Sequence, residues 1–253
     1  MRRASTCLAL LGLAVLGLSG VASAAPTVTL VVKAVPIAGF PGTGNILGAG
    51  AAEEAKFTIK GTEYTGGVPS PLKKVNFYLP AGAKINTAGF VTCPVATLEN
   101  VGPGGCPKKS IASPVGEAGV ADTIGGELIP EKASLQAFFA PGGHLSFYAN
   151  APSPISAQIV AKGGFVNSSG GGPYGLDLET EVPLIEPLPG APYISTESIN
   201  VKVGAAYKKG KKTISYGTLP KKCPKGGFPV KSELTFLSGE TVTVTYKAPC
   251  PKK

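Results

Sequence analysis

The strongest constraint on this chain lies near its end, where Cys223 and Cys250 enclose two runs of alternating residues with a glycine-bearing turn between them. Alternation at period two puts every second side chain on one face of a strand. Here the apolar positions are even-numbered on both runs: Val230, Leu234 and Phe236, then Val242, Val244 and Tyr246. Directly opposed residues of an antiparallel pair share a face, so their numbers must add to an even value. A two-residue loop at Ser238-Gly239 sets Leu234 against Thr243 and is excluded unless a bulge intervenes. A three-residue loop, Leu237-Ser238-Gly239, sets Leu234 against Val242 and Val230 against Tyr246. It also puts Gly239 at the left-handed position that such loops require. In that register Cys250 faces Gly226, so Cys223 must fold back across Gly226-Gly227 to reach it. The prediction is a β-hairpin closed at its base by a disulfide.

Four cysteines lie beyond the first 24 residues, and the local pairings Cys93–Cys106 and Cys223–Cys250 close the shortest loops. Each precedes a proline (Pro94, Pro107, Pro224, Pro251), which holds the cysteine backbone extended. A zinc site is the rival use of such residues, but the chain has no CxxC pair and one histidine. Residues 1–24 have the parts of a secretory signal peptide: Arg2 and Arg3, an apolar run Leu8–Leu18, and the small-residue site Ala22-Ser23-Ala24. That run of about 11 residues is too short for a bilayer core that needs roughly 20, and Cys7 lies before it. The expectation is an exported protein starting near Ala25, with no membrane span in the mature form and residues 25–253 as a single domain. Disulfides belong in such an oxidising compartment.

Glycine (35) and proline (24) are abundant while 43% of residues remain apolar, a balance that fits many short strands joined by tight turns and not a disordered chain. Strands are predicted at Thr27–Val35, Ala55–Lys60, Val75–Leu79, Ser134–Phe139, Leu145–Ala149, Ile155–Ala161, Leu176–Val182, Ile199–Val203 and Thr213–Tyr216. A loose loop is expected from Gly163 to Gly175. One helical turn is expected over Pro94–Asn100, with Gly102 past its end. Pro183, Pro187, Pro189 and Pro192 mark a stiff crossover outside the sheets. The fold class is therefore all-β, an antiparallel two-layer β-sandwich of immunoglobulin-like or jelly-roll-like kind, with at most one or two short helical turns.

The chain carries a net charge of +9, and both of its arginines fall within the first three residues. Specific nucleic-acid readout leans on the bidentate contacts of arginine, so a chain whose other basic residues are all lysine is a poor candidate for it. Lys208, Lys209, Lys211 and Lys212 flank Gly210 at an expected hairpin tip, with Lys221 and Lys222 close in sequence. Such a tip keeps sheet edges from pairing, and it is also a contact for anionic polymers. Gly42, Gly44 and Gly48 follow a strand, but the spacing is not that of a dinucleotide loop and no βαβ pattern surrounds it. No cofactor is expected. His144, the one histidine, lacks the nucleophile context of a triad. Asp177, Glu179 and Glu181 lie at period two on one strand face, the arrangement of some carbohydrate-active β proteins, although no tryptophan is present to stack sugars.

Several stretches together resemble an uncharacterised family of exported, disulfide-bridged all-β proteins of actinobacteria. They include Phe40-Pro41-Gly42-Thr43-Gly44, Gly61-Thr62-Glu63-Tyr64, Asn76 to Gly82, Gly105 to Ser110, Leu188 to Pro192 and Cys223 to Gly227. The resemblance implies export and a β architecture, and it brings no activity with it. The expected function is that of a non-enzymatic structural or binding protein of the cell envelope or extracellular matrix, contacting anionic polymers through its lysine-rich end. A carbohydrate-active protein using Asp177, Glu179 and Glu181 is the alternative.

Overall fold

A computed structural model describes residues 25–154, 156–168 and 172–251; the predicted signal peptide and the start of the strand expected at Ile155 lie outside the described residues. The strands in chain order are β1 (Thr27–Val35), β2 (Gly50–Lys60), β3 (Leu72–Pro80), β4 (Lys84–Ile85), β5 (Gly116–Ile124), β6 (Glu127–Phe139) and β7 (Leu145–Ala151). They continue with β8 (Ala157–Asn167), β9 (Tyr174–Glu181), β10 (Ser195–Val203), β11 (Ala206–Lys209), β12 (Lys212–Ser215), β13 (Gly217–Thr218), β14 (Phe228–Phe236) and β15 (Thr241–Ala248). One short helix, α1 (Val95–Val101), and three single 3-10 turns complete the described secondary structure.

The all-β expectation holds, and every ladder is antiparallel. The division into two facing sheets does not appear in the ladders. They join one open sheet of 13 strands in the order β15-β14-β3-β9-β8-β7-β6-β5-β10-β2, with β1 on the far side of β2 and β13 and β4 branching from its start. A strongly twisted sheet this wide must curl. Here the curl brings its ends together: β1 and β15 have Cα atoms within 8 Å of one another although no ladder joins them. Stacked sheets stand about 10 Å apart, so these strands meet edge to edge along an unlaced seam. Leu30 and Val32 of β1 share a buried cluster there with Phe57 and Ile59 of β2, Val230, Leu234 and Phe236 of β14, and Ala248 of β15.

The chain after the proline-rich crossover is woven through this sheet. β10 lies between β2 and β5, and β14 pairs with β3. The crossover is tied down by side chains: the Tyr193 amide donates to Tyr64 Oη at 3.0 Å, and Ser195 Oγ donates to the Pro69 carbonyl at 2.6 Å.

The closing hairpin has the expected register. Val230 faces Tyr246 and Leu234 faces Val242, with Leu237-Ser238-Gly239 as the loop and Gly239 at φ +89°. Gly226 and Gly227 take positive φ, and the Gly227 amide donates to the Pro224 carbonyl as the chain folds back. Both predicted disulfides form, Cys223–Cys250 with Cα atoms 6.1 Å apart and Cys93–Cys106 at 5.4 Å.

Several local readings need correction. β5 was not expected, because Gly116 to Ile124 is rich in glycine and alanine and carries little β propensity. The loop expected from Gly163 is strand as far as Asn167. Pro94 caps α1 from outside, so Val95 is the first helical residue. The helix lays Leu98 on Phe138, Tyr148 and Val160, on the outer face of β6, β7 and β8, with Cys93–Cys106 beside them.

Candidate ligand-binding cavity

Around the roll run eleven strands, counting from β15 to β1. About eight strands already give an interior that side chains just fill, so a wider roll must fill itself with large residues or stay hollow. This one sets alanines among its larger inward side chains. Ala51, Ala52 and Ala55 of β2, Ala118 of β5, Ala133 of β6, Ala149 of β7 and Ala161 of β8 all line the interior. The larger inward side chains Val120, Phe147, Ile159, Ile199 and Val201 keep part of their surface accessible, because the space in front of them is empty. The result is a cavity of about 260 Å³ with an almost wholly apolar wall.

One end of the cavity is walled by a cap. β13 pairs with the first residues of β2 and with β4, which follows directly on β3. Ala83, Ile85, Thr218, Leu219 and Pro220 thereby close over the end where β2 begins. Tyr216 anchors the cap. Its ring packs against Phe139 at 4.6 Å, Phe90 at 5.6 Å and Phe165 at 6.3 Å between centroids.

Two polar side chains interrupt the dry wall at this end. Glu53 of β2 has an Oε1 atom with no hydrogen-bond partner. Its neighbours in the ladders are Ala34 and Val203, and it is one of the residues that line the cavity. Burial alone pushes its carboxyl up from 4.5 to about 7. The hydroxyl of Tyr216 is likewise buried without a partner, and burial pushes its ionisation well above the ordinary range. At the opposite end of the roll Asp122 is fully buried on the inward parity of β5 and is raised to about 6, by burial first and by the nearby Glu131 second.

The residues expected to act from the sequence lie elsewhere. Lys208, Lys209, Lys211 and Lys212 form the exposed tip of the β11–β12 hairpin. The Lys221 side chain lies against Gly48, and Lys221 and Lys222 are exposed as well. Tyr207 of the hairpin donates to the Ala88 carbonyl at 3.1 Å, and the Gly48 amide donates to the Pro220 carbonyl at 3.1 Å. All six lysines therefore belong to the capped end.

Asp177, Glu179 and Glu181 share the outer face of β9, while Leu178, Thr180 and Val182 line the cavity behind them. Glu179 and Glu181 border an outer groove of about 560 Å³ with Lys74, Lys162 and His144. Lys74 lies 3.3 Å from Glu179 and Lys162 lies 3.5 Å from Glu99, so both cations have partners. Asp177 is 1% exposed and is not on the groove wall. Farther along the same face Lys231 sits 3.7 Å from the centroid of the Tyr78 ring, and both it and Tyr78 donate to Glu233, at 2.7 Å and 2.6 Å. Those bonds hold the Glu233 carboxyl below its ordinary range. Among the described residues no three histidine, cysteine or acidic side chains cluster as a metal site would need, and no helix is long and apolar enough to cross a membrane.

Glu53 was missed because the strand was expected to begin at Ala55, and Tyr216 was read only as the end of a strand at Thr213–Tyr216. Continuing the alternation Ile59, Phe57, Ala55 back by two residues puts a carboxylate on the apolar face, and that is the signal that finds Glu53. Comparison of the chain with protein-family models, with curated proteins and with solved structures found no match to any of them.

Proposed function

We propose that this is a non-enzymatic binding protein that takes an apolar molecule into the interior of its rolled sheet. One observation carries the reading: each of β2, β5, β6, β7 and β8 sets an alanine inward (Ala55, Ala118, Ala133, Ala149 and Ala161) where a self-filling core would carry a large side chain. An apolar cavity of about 150 Å³ already stays dry and admits a benzene-sized guest, and this one is larger. The disulfides suit an oxidising compartment, so the reading is of a carrier working outside the cytoplasm.

A neutral apolar fluorophore such as N-phenylnaphthylamine is expected to bind with one-to-one stoichiometry. Ala118→Leu together with Ala133→Leu is expected to weaken it at least about tenfold, since the added methylenes take up guest space. Overpacking a full core costs about 1–3 kcal/mol; here the double variant is expected to unfold at the same denaturant concentration as the parent or higher. Loss of stability with unchanged probe binding would remove the proposal.

The lysines at the capped end fit contact with anionic cell-envelope or matrix polymers, a second surface for the same protein. Lys208, Lys209, Lys211, Lys212, Lys221 and Lys222 are all exposed. Retention on an anionic matrix such as heparin or teichoic acid is expected to fall steeply between 0.05 and 0.5 M salt, roughly where screening shortens to a few ångströms. Changing the four tip lysines to serine is expected to lower the salt needed for elution. An unchanged elution profile would rule the tip out.

A further inference from the structure

The cavity wall also restricts what the guest carries at its head. This inference rests on the binding reading above. Apart from Glu53 and Tyr216 the polar groups on the lining are threonine hydroxyls and Lys84, whose residue is exposed on the cap. The inner faces of the strands carry acids at Glu53, Asp122 and Glu131, while Lys33, Lys202 and Glu54 beside Glu53 take the alternate, outward parity. An anionic head entering this space meets like charge and no buried cation. A hydroxyl brings one donor and accepts in turn. Those are the two needs that the carboxylate of Glu53 and the phenol of Tyr216 present at the capped end.

We infer that the protein selects long-chain or polycyclic alcohols over fatty acids, with the hydroxyl seated at the capped end of the cavity against Glu53. Glu53 acts here as a specificity residue, and the apolar wall supplies most of the affinity.

The test is displacement of N-phenylnaphthylamine by dodecanol and dodecanoate at pH 8, which share one chain and differ in the head. Dodecanol is expected to displace the probe at a concentration about tenfold below dodecanoate, the worth of one hydrogen bond to a charged acceptor. In Glu53→Leu the advantage of dodecanol over dodecanoate is expected to shrink to about twofold or less. Glu53→Gln, which retains shape and hydrogen bonding but not charge, is expected to admit dodecanoate more readily than the parent does. If dodecanoate displaces the probe as well as dodecanol, or if neither variant changes the ranking, the head selectivity is overturned while the cavity reading stands. If the probe does not bind the parent protein at all, the cavity reading falls and this inference falls with it.

Discussion

Between pH 4.5 and pH 8 the ligand-free protein is expected to lose about 3 kcal/mol of stability through Glu53 alone, and Glu53→Gln is expected to remove most of that loss. The carboxyl is raised from 4.5 in the free chain to about 7 in the fold. Each unit of such a difference is worth about 1.4 kcal/mol. Because the folded value is the higher one, the folded state binds more protons in the interval, and stability falls as the pH rises. The contribution is fully present below about 4.5, declines through the window, and is gone above about 7. The cause is burial: the carboxylate sits on an apolar wall between Ala34 and Val203.

Asp122 adds a change of the same sign lower in the range, between 3.8 and about 6. Glu233 has the opposite sign, since its folded value is lowered, and its contribution is lost only as the pH falls through the carboxylate range. Urea unfolding at pH 5 and pH 8 separates these terms. The parent should be clearly more stable at pH 5, Glu53→Gln should show a much smaller difference, and at pH 8 the variant should be the more stable of the two. A parent with equal stability at both values would mean that water reaches the Glu53 carboxyl.

What the sequence made legible was whatever is settled locally. The register of β14 and β15 follows from parity and from a three-residue loop that needs glycine at one position, so Val230 meets Tyr246 as expected. The disulfide pairings were legible for a similar reason, since short loops cost the least chain entropy to close. Sheet order was not. That β10 lies between β2 and β5 depends on contacts between residues more than 70 positions apart, and no local pattern encodes them.

The hollow was hidden by its own composition. Alanine is compatible with either face of a strand, so Ala118 and Ala133 did not announce that they face an unfilled interior. The same ambiguity hid β5, whose inward residues are mostly small. The acids of β9 were legible as a shared face. What alternation along one strand cannot say is which face curls inward, and the curl puts Leu178 and Thr180 inside and Glu179 outside.

Removing the Cys223–Cys250 bridge is expected to cost more than removing Cys93–Cys106, by a margin that loop length alone does not give. The bridges enclose 27 and 13 residues. Loop entropy assigns them about 3.5 and about 3 kcal/mol, a difference near half a kilocalorie. Their places in the fold differ far more. Cys93–Cys106 ties α1 to the outer face of β6, β7 and β8, where Leu98 can lift away and leave the roll standing. Cys223–Cys250 ties β15 to the chain entering β14, beside the seam where β15 meets β1 without a ladder. Without it the end of β15 is held by β14 alone, and Ala248, Val230 and Phe228 are exposed as the seam parts. Cys223→Ser with Cys250→Ser is therefore expected to lower Tm by on the order of 10 °C. Cys93→Ser with Cys106→Ser should lower it by about half as much, with its loss appearing first as faster amide exchange in α1. Equal shifts in Tm for the two double variants would show that loop entropy governs both, and that the seam is held by its packed side chains without help from the bridge.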